Sequence, residues 1–99
     1  MKIDSEKNGS ALTVKVEGRL DTVTSPQLEA FLTENLPGIT GLTFDFGGLE
    51  YISSSGLRTL LKAQKQMNAV GSMKVCHVGE IVREVFSVTG FDTVLTIED

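Results

Sequence analysis

Two segments with strict alternation of apolar and polar residues constrain the fold of this chain more than any other feature. They are residues 11–17 and 42–46, and their apolar positions are Leu12, Val14, Val16, Leu42, Phe44 and Phe46. A period of two is typical of strands that bury one face, and helical spacing in the residues between them predicts that strands alternate with helices. The chain is therefore predicted to adopt an α/β fold with the apolar residues of segment 11–17 in its core.

The other patterns predict eight elements in the order β-β-α-β-α-β-α-β. The predicted strands are residues 2–6, 11–17, 42–46 with an end at Gly47-Gly48, 73–78 and 93–97. An Asn8-Gly9 turn favours an antiparallel hairpin between the first two strands, and right-handed β-α-β crossovers make later neighbours parallel. Together these features predict a small mixed β-sheet with helices packed on it.

The three predicted helices have clear ends. The first stops before Pro37-Gly38, the second runs from the serines at 53–55 to about residues 68–71, and the third is residues 80–88 with Gly90 as its stop. The apolar side of the third helix is predicted to consist of Ile81, Val85 and Val88.

Two starts are open for the first helix. Thr24 and Gln27 have the spacing of a capping box, whereas Ser25 is a suitable N-cap with Pro26 at the first helical position. Both alternatives open the same helix.

Composition and charge narrow the classes of function. The 99 residues are expected to form one domain, residues 1–99, and a net charge of −4 disfavours binding to nucleic acid. The one cysteine, Cys76, excludes an internal disulfide, and no stretch has the length of a signal peptide core or a membrane span. We expect a cytoplasmic monomer that acts away from the membrane.

The serine triplet Ser53-Ser54-Ser55, followed by Gly56, is the most unusual polar feature. It lies at a loop-to-helix junction on the C-terminal side of a strand, where open α/β sheets usually place ligand sites. One serine suffices as an N-cap, so further hydroxyls are left for another role. The unpaired N–H groups of a helix start also favour a phosphate there.

Residues 49–61, LEYISSSGLRTLL, together with the preceding LTFDF, resemble the signature of the STAS domain family and of its bacterial anti-sigma factor antagonists. Residues 18–21 with Pro26, and the Gly90-Phe91-Asp92 turn, are similar to other junctions of that family. The resemblance covers nearly the whole chain and implies a STAS-like fold.

In that family the motif reads Asp-Ser-Ser/Thr-Gly-Leu, and the hydroxyl residue before the glycine is phosphorylated by a partner anti-sigma factor that is also a serine kinase. The resemblance implies phosphorylation at Ser55, with Ser54 as the second choice, while Ser53 stands where the family has aspartate. The unphosphorylated protein is expected to bind the anti-sigma factor and free the sigma factor. The resemblance also implies that phosphorylation ends this binding and that a serine phosphatase resets the switch.

A partner surface is expected around the serines. Its residues are Arg19, Asp21, Thr22, Ser53, Ser54, Ser55, Gly56, Arg58 and Lys62. Arg58, Lys62 and Lys65 form a basic stripe at positions i, i+4 and i+7, which is either a docking edge for an acidic partner or an ordinary solvated face. Asp21 either contacts the partner or accepts backbone bonds within its own turn.

Other chemistries have weaker support in the sequence. The serines lack the Gly-x-Ser-x-Gly pattern of a hydrolase, so we expect no enzyme activity. Cys76 and His77 are adjacent in a predicted strand, which would point them to opposite faces and exclude a shared metal. The helix start could hold the phosphate of a nucleotide, but no Walker or Gly-x-Gly-x-x-Gly pattern is present, and no cofactor is expected.

The resemblance also implies an alternative function. Small proteins of this family serve as subunits of lipid-transport or stress-signalling assemblies, in which the phosphoacceptor is unused.

Overall fold

The computed structural model describes residues 1–98. Its elements are β1 (Lys2–Asn8), β2 (Ala11–Leu20), α1 (Ser25–Asn35), β3 (Gly41–Ile52), α2 (Ser54–Asn68), β4 (Ser72–Cys76), α3 (Glu80–Thr89), a 3₁₀ turn (Phe91–Thr93) and β5 (Ile97–Glu98). The strands form one sheet in the order β1-β2-β3-β4-β5. β1 is antiparallel to β2 and the other neighbouring pairs are parallel, so the predicted small mixed sheet is confirmed. Gly9 forms the hairpin turn with a φ of +63°.

The core lies between the helices and one face of this sheet. The side chains of β2 that were predicted for the core are buried: Leu12, Val14 and Val16. On β3 the rings of Phe44 and Phe46 pack with centroids 5.6 Å apart. The opposite face is polar, with Lys15 and Lys74 exposed. Within residues 1–98, each helix is too short or too polar to span a bilayer.

β3 continues through Gly47-Gly48 to Ile52, so the prediction that it ends at the glycines is wrong. The register between β2 and β3 shifts after Lys15, as at a β-bulge. A Cβ on Gly48 would lie 2.7 Å from Cγ of Glu17. This glycine therefore allows a close approach of two strands and is not a strand exit.

The start of α1 differs from both predicted caps. Thr24 occupies the N-cap position with a helical backbone and makes no side-chain cap, so no capping box with Gln27 forms. Ser25 is already the first helical residue, and its Oγ donates to the carbonyl oxygen of Asp21 over 2.6 Å. The end of the helix at Asn35, before Pro37, is confirmed.

The predicted apolar face of α3 is wrong. Val82 and Phe86 are buried and Val85 is partly buried, whereas Ile81 and Val88 are 62% and 81% exposed. Both sets have helical spacing, and packing against the sheet selects the set that carries the large aromatic ring.

The last strand is also shorter than predicted. Gly90, with φ +80°, ends α3 as expected, and residues 91–93 then form the 3₁₀ turn. Of the predicted strand 93–97, only Ile97 is in β5.

Candidate functional site

Ser53 is the N-cap of α2. Its extended backbone directs Oγ toward the helix start, where it accepts a hydrogen bond from the N–H of Gly56 at 3.4 Å. Its own N–H donates to the carbonyl of Leu20 over 2.9 Å, which ties α2 to the end of β2. Serine and aspartate are both preferred N-caps, so Ser53 can replace the aspartate of the family motif as a cap but not as a charge.

Gly56 is buried beneath the serines. A Cβ there would lie 2.8 Å from Cγ1 of Ile52 and from Cγ of Leu20. The start of α2 therefore packs directly on the ends of β2 and β3, and no side chain fits between them. Gly56 is buried and does not itself face a partner, but it allows the close packing that places the serines on the surface expected to bind one.

Ser55 has a hydroxyl that the cap does not use. It lies in the first turn of α2, with Oγ 3.2 Å from Oγ1 of Thr22 and 3.2 Å from a terminal guanidinium nitrogen of Arg58, which donates to it. Ser54 is exposed, whereas Ser55 is half-buried. Both serines lie near the positive end of the helix dipole because they are at the N-terminus of α2, and the first turn carries no acidic residue that would offset this charge.

The loop before α1 positions Thr22 against Ser55. Oδ1 of Asp21 accepts hydrogen bonds from the backbone N–H groups of Val23 and Thr24 at 3.0 and 3.1 Å. The hydrogen bond from Thr24 is the main reason that the pKa of Asp21 lies below its ordinary value. Asp21 therefore has the turn role that was one of its two predicted alternatives.

Arg19 is fixed at the edge of the same loop. Its guanidinium lies 4.3 Å from the centre of the Tyr51 ring, and Nε is 3.7 Å from Oδ2 of Asp21. These contacts orient a cation beside the end of β3.

The basic stripe is divided by the structure. Arg58 reaches Ser55. The exposed Lys62 instead borders a depression between α1 and α2 that does not include Ser55, and Glu29 and Gln66 lie on the same depression. Lys65 is one turn farther along α2 and is exposed.

Four residues on the rim of the depression beside Ser55 were not predicted as site residues: Ser25, Pro26, Glu29 and Thr59. They come from the first turns of α1 and from the second turn of α2. Which residues share this rim depends on how the two helices cross, and periodicity alone does not predict that.

A family model described as the STAS domain matches residues 2–99. The chain belongs to the STAS domain family. The predicted family and the STAS-like fold are thereby confirmed.

Relatives of this STAS domain carry a consistent description. BtrV of Bordetella bronchiseptica, whose name describes an anti-sigma factor antagonist, is 34% identical over an aligned length of 99 residues, and the alignment covers 98% of this chain and 85% of BtrV. An anti-sigma factor antagonist from Mycobacterium paratuberculosis has a TM-score of 0.87 at 24% identity, over 97% of this chain and 83% of the other.

SpoIIAA, an anti-sigma factor antagonist, is known in two states. Its unphosphorylated form has a TM-score of 0.77 at 20% identity, over 99% of this STAS domain and 88% of SpoIIAA. The phosphorylated form, from Bacillus, has a TM-score of 0.76 at 20% identity, with 99% and 92% of the two chains covered. Both comparisons show a shared fold.

The reason given for excluding a metal ion from this STAS domain is wrong. β4 ends at Cys76, and His77 has a φ of +58°, which is outside the range of a strand. This turn brings Nδ1 of His77 to 3.6 Å from Sγ of Cys76 and to 3.1 Å from Oδ1 of Asp45.

Proposed function

We propose that this STAS domain protein is an anti-sigma factor antagonist whose binding is switched off by phosphorylation of Ser55. The observation that carries the proposal is the Ser55 hydroxyl, which is left free by the Ser53 cap and lies beside Arg58 and Thr22. The names of BtrV and SpoIIAA support the same function.

In the proposed unphosphorylated state, the loop before α1 and the first turn of α2 bind an anti-sigma factor, which then releases its sigma factor. The surface offers Arg19, Thr22, Ser54 and Arg58 near Ser55, and Lys62 farther along α2. Its cations suit an acidic patch on the partner. The protein acts in the cytoplasm as a monomeric single domain of residues 1–99, and it works by binding and not by catalysis.

Phosphorylation by the bound anti-sigma factor, acting as a serine kinase, adds about −1.5 to −2 charges at Ser55. The helix start and the guanidinium of Arg58, 3.2 Å from Oγ, can accommodate that charge within the fold. The complex dissociates for two reasons. The phosphate repels the acidic partner, and it also attracts Arg58, which then no longer contacts the partner. A serine phosphatase restores binding.

The test is intact-mass spectrometry after incubation with ATP and lysate of the source cells. Wild type is compared with Ser55→Ala and with Ser54→Ala, which removes the neighbouring hydroxyl and serves as the matched control. We expect one added phosphate in wild type and Ser54→Ala, and none in Ser55→Ala.

Phosphate on both variants would place modification elsewhere and contradict the role of Ser55. No phosphate in any sample would favour the alternative, a STAS subunit of a larger assembly whose serines only begin a helix.

A further inference from the structure

A second group of reactive side chains lies on the face of the sheet that the helices leave open. Asp45 of β3 and Cys76 of β4 are partners in the parallel register, and His77 follows directly. One ligand atom from each residue lies within 4.8 Å of the other two. Asp45 is seven residues before Ile52, where β3 meets the Ser55 site, so this group is separate from that site.

The backbone at His77 is what brings the group together. In a continuous strand, the side chains of residues 76 and 77 would point to opposite faces. His77 is the one non-glycine residue among residues 1–98 with a positive φ, a sparsely populated conformation that clusters at functional sites. It turns the imidazole onto the face that Cys76 already occupies.

Asp45 is held in place for this group. Its Oδ1 accepts a hydrogen bond from the N–H of Gly47 at 2.9 Å. A Cβ on Gly47 would lie 3.2 Å from that oxygen and 3.6 Å from Cβ of His77. Glycine at this position therefore leaves the carboxylate and the imidazole the space to meet.

Two of the three separations between donor atoms are close to those around a tetrahedral zinc ion. Bonds of about 2.3 Å to sulfur and about 2.0 Å to nitrogen and oxygen separate the sulfur and nitrogen donors by about 3.5 Å, and the nitrogen and oxygen donors by about 3.3 Å. The observed separations are 3.6 Å between Sγ and Nδ1 and 3.1 Å between Nδ1 and Oδ1. Both lie near the tetrahedral values, and all three donor atoms lie within 4.8 Å of one another.

We propose that Asp45, Cys76 and His77 bind one zinc ion. Thiolate, imidazole and carboxylate are the donors that zinc takes in proteins. Binding releases the thiol proton of Cys76 to solvent and uses the His77 tautomer that is protonated on Nε2. The His77 side chain is 62% exposed, so solvent can reach this site and a water molecule can supply the fourth ligand.

The first test is a titration of the reduced full chain with Co²⁺, followed by displacement with Zn²⁺. Cobalt in a tetrahedral site with a thiolate ligand gives a near-ultraviolet charge-transfer band and intense visible bands. We expect these bands at one equivalent in wild type and their loss when Zn²⁺ is added. Absence of a charge-transfer band at saturating Co²⁺ would overturn the proposal.

Variants assign the ligands by competition for Zn²⁺ with a chromophoric chelator. Cys76→Ser, Asp45→Asn and His77→Asn should each weaken affinity at least about tenfold, because even the loss of an outer-shell partner costs that much. Asparagine is chosen at 77 because it tolerates a positive φ. Asp4→Asn removes an exposed carboxylate on the same open surface and should leave affinity unchanged.

Thermal unfolding supplies an independent readout. Zn²⁺ should raise the Tm of wild type and of Asp4→Asn, because a ligand of the native state stabilises it, but not that of the three ligand variants. Equal affinities, or equal Tm shifts, in wild type and the ligand variants would show that Asp45 and His77 form only a hydrogen-bonded pair.

Discussion

At the scale of single residues, the three serines of the motif have three different environments. Ser53 accepts the bond that caps α2, Ser54 faces solvent, and Ser55 contacts Thr22 and Arg58. This division shows that the cap uses only one of the three hydroxyl groups. It also separates the residue that stabilises the helix from the residue proposed to carry the phosphate.

Gly56→Ala is expected to destabilise the protein by about 1–3 kcal/mol, as overpacking of a close contact does. The added Cβ would lie 2.8 Å from side-chain atoms of Ile52 and Leu20, and 3.0 Å from a backbone oxygen that cannot move aside easily. The matched control is Gly41→Ala, where a Cβ meets no atom within 4 Å. Urea unfolding of both variants gives the free energies, and equal values would contradict the packing role of Gly56.

Asp21→Asn is expected to change how stability depends on pH. Hydrogen bonds from the Thr24 and Val23 amides favour the charged carboxylate and lower the pKa of Asp21 in the folded protein. A lowered folded pKa stabilises the fold above the unfolded value, and this contribution disappears as the pH falls through the folded value.

Thermal unfolding at about pH 7 and about pH 2 tests this expectation, since the two conditions lie on either side of the ordinary aspartate pKa of about 3.9. Wild type should have the higher Tm at neutral pH, and the difference should shrink in acid. Asp92→Asn, at an exposed position in the 3₁₀ turn, is the control. A Tm difference that stays constant with pH would show that the Asp21 charge has no part in holding the loop.

At the scale of elements, the first turn of α2 is suited to a negative charge. This turn contains no acidic residue, and the guanidinium of Arg58 already donates a hydrogen bond to Ser55. A phosphate at this place would therefore meet a helix dipole of the favourable sign. The proposed switch requires no unfolding of the helix that carries it.

Ser55→Asp is expected to leave the Tm unchanged or to raise it slightly, because an acidic group at a helix start contributes about 0.3–1 kcal/mol. Ser87→Asp puts the same group in the last turn of α3, where the dipole has the opposite sign, and should lower the Tm. Differential scanning calorimetry compares the two. A Tm of Ser55→Asp more than about 5 °C below wild type, equivalent to about 1 kcal/mol in a chain of this size, would contradict the account.

At the scale of the whole molecule, the charges are unevenly distributed. The net charge is −4, yet Arg58, Lys62 and Lys65 follow one another along α2. A locally basic face on an acidic protein can orient an acidic partner during its approach. This expectation depends on the proposed function.

Lys62→Glu is expected to slow association with the anti-sigma factor by about tenfold at low salt, the lower range of electrostatic steering. Lys7→Glu changes the net charge by the same amount on the exposed β1 hairpin and should have a much smaller effect. Stopped-flow association rates over a range of salt concentrations distinguish the two. Equal rates for both variants would mean that the stripe is only a solvated face.

The sequence by itself determined the element order, the mixed sheet and the buried face of β2, since these depend on short-range periodicity and turn residues. It also indicated the family through the serine motif. Alternation along a strand has only two possible faces, so Leu12, Val14 and Val16 could be assigned to the core from their spacing.

Only the tertiary structure decided which apolar stripe of α3 is buried, how far β3 extends, and what surrounds Ser55. In each case contacts with residues distant in the chain decided the outcome. Thr22 meets Ser55 across 33 positions of sequence, and Asp45 meets His77 across 32. The second contact also requires a positive φ at His77, and because only a few per cent of non-glycine residues have one, local propensity does not predict it. Such contacts depend on how whole elements pack against one another, and this packing cannot be predicted from any short stretch of sequence.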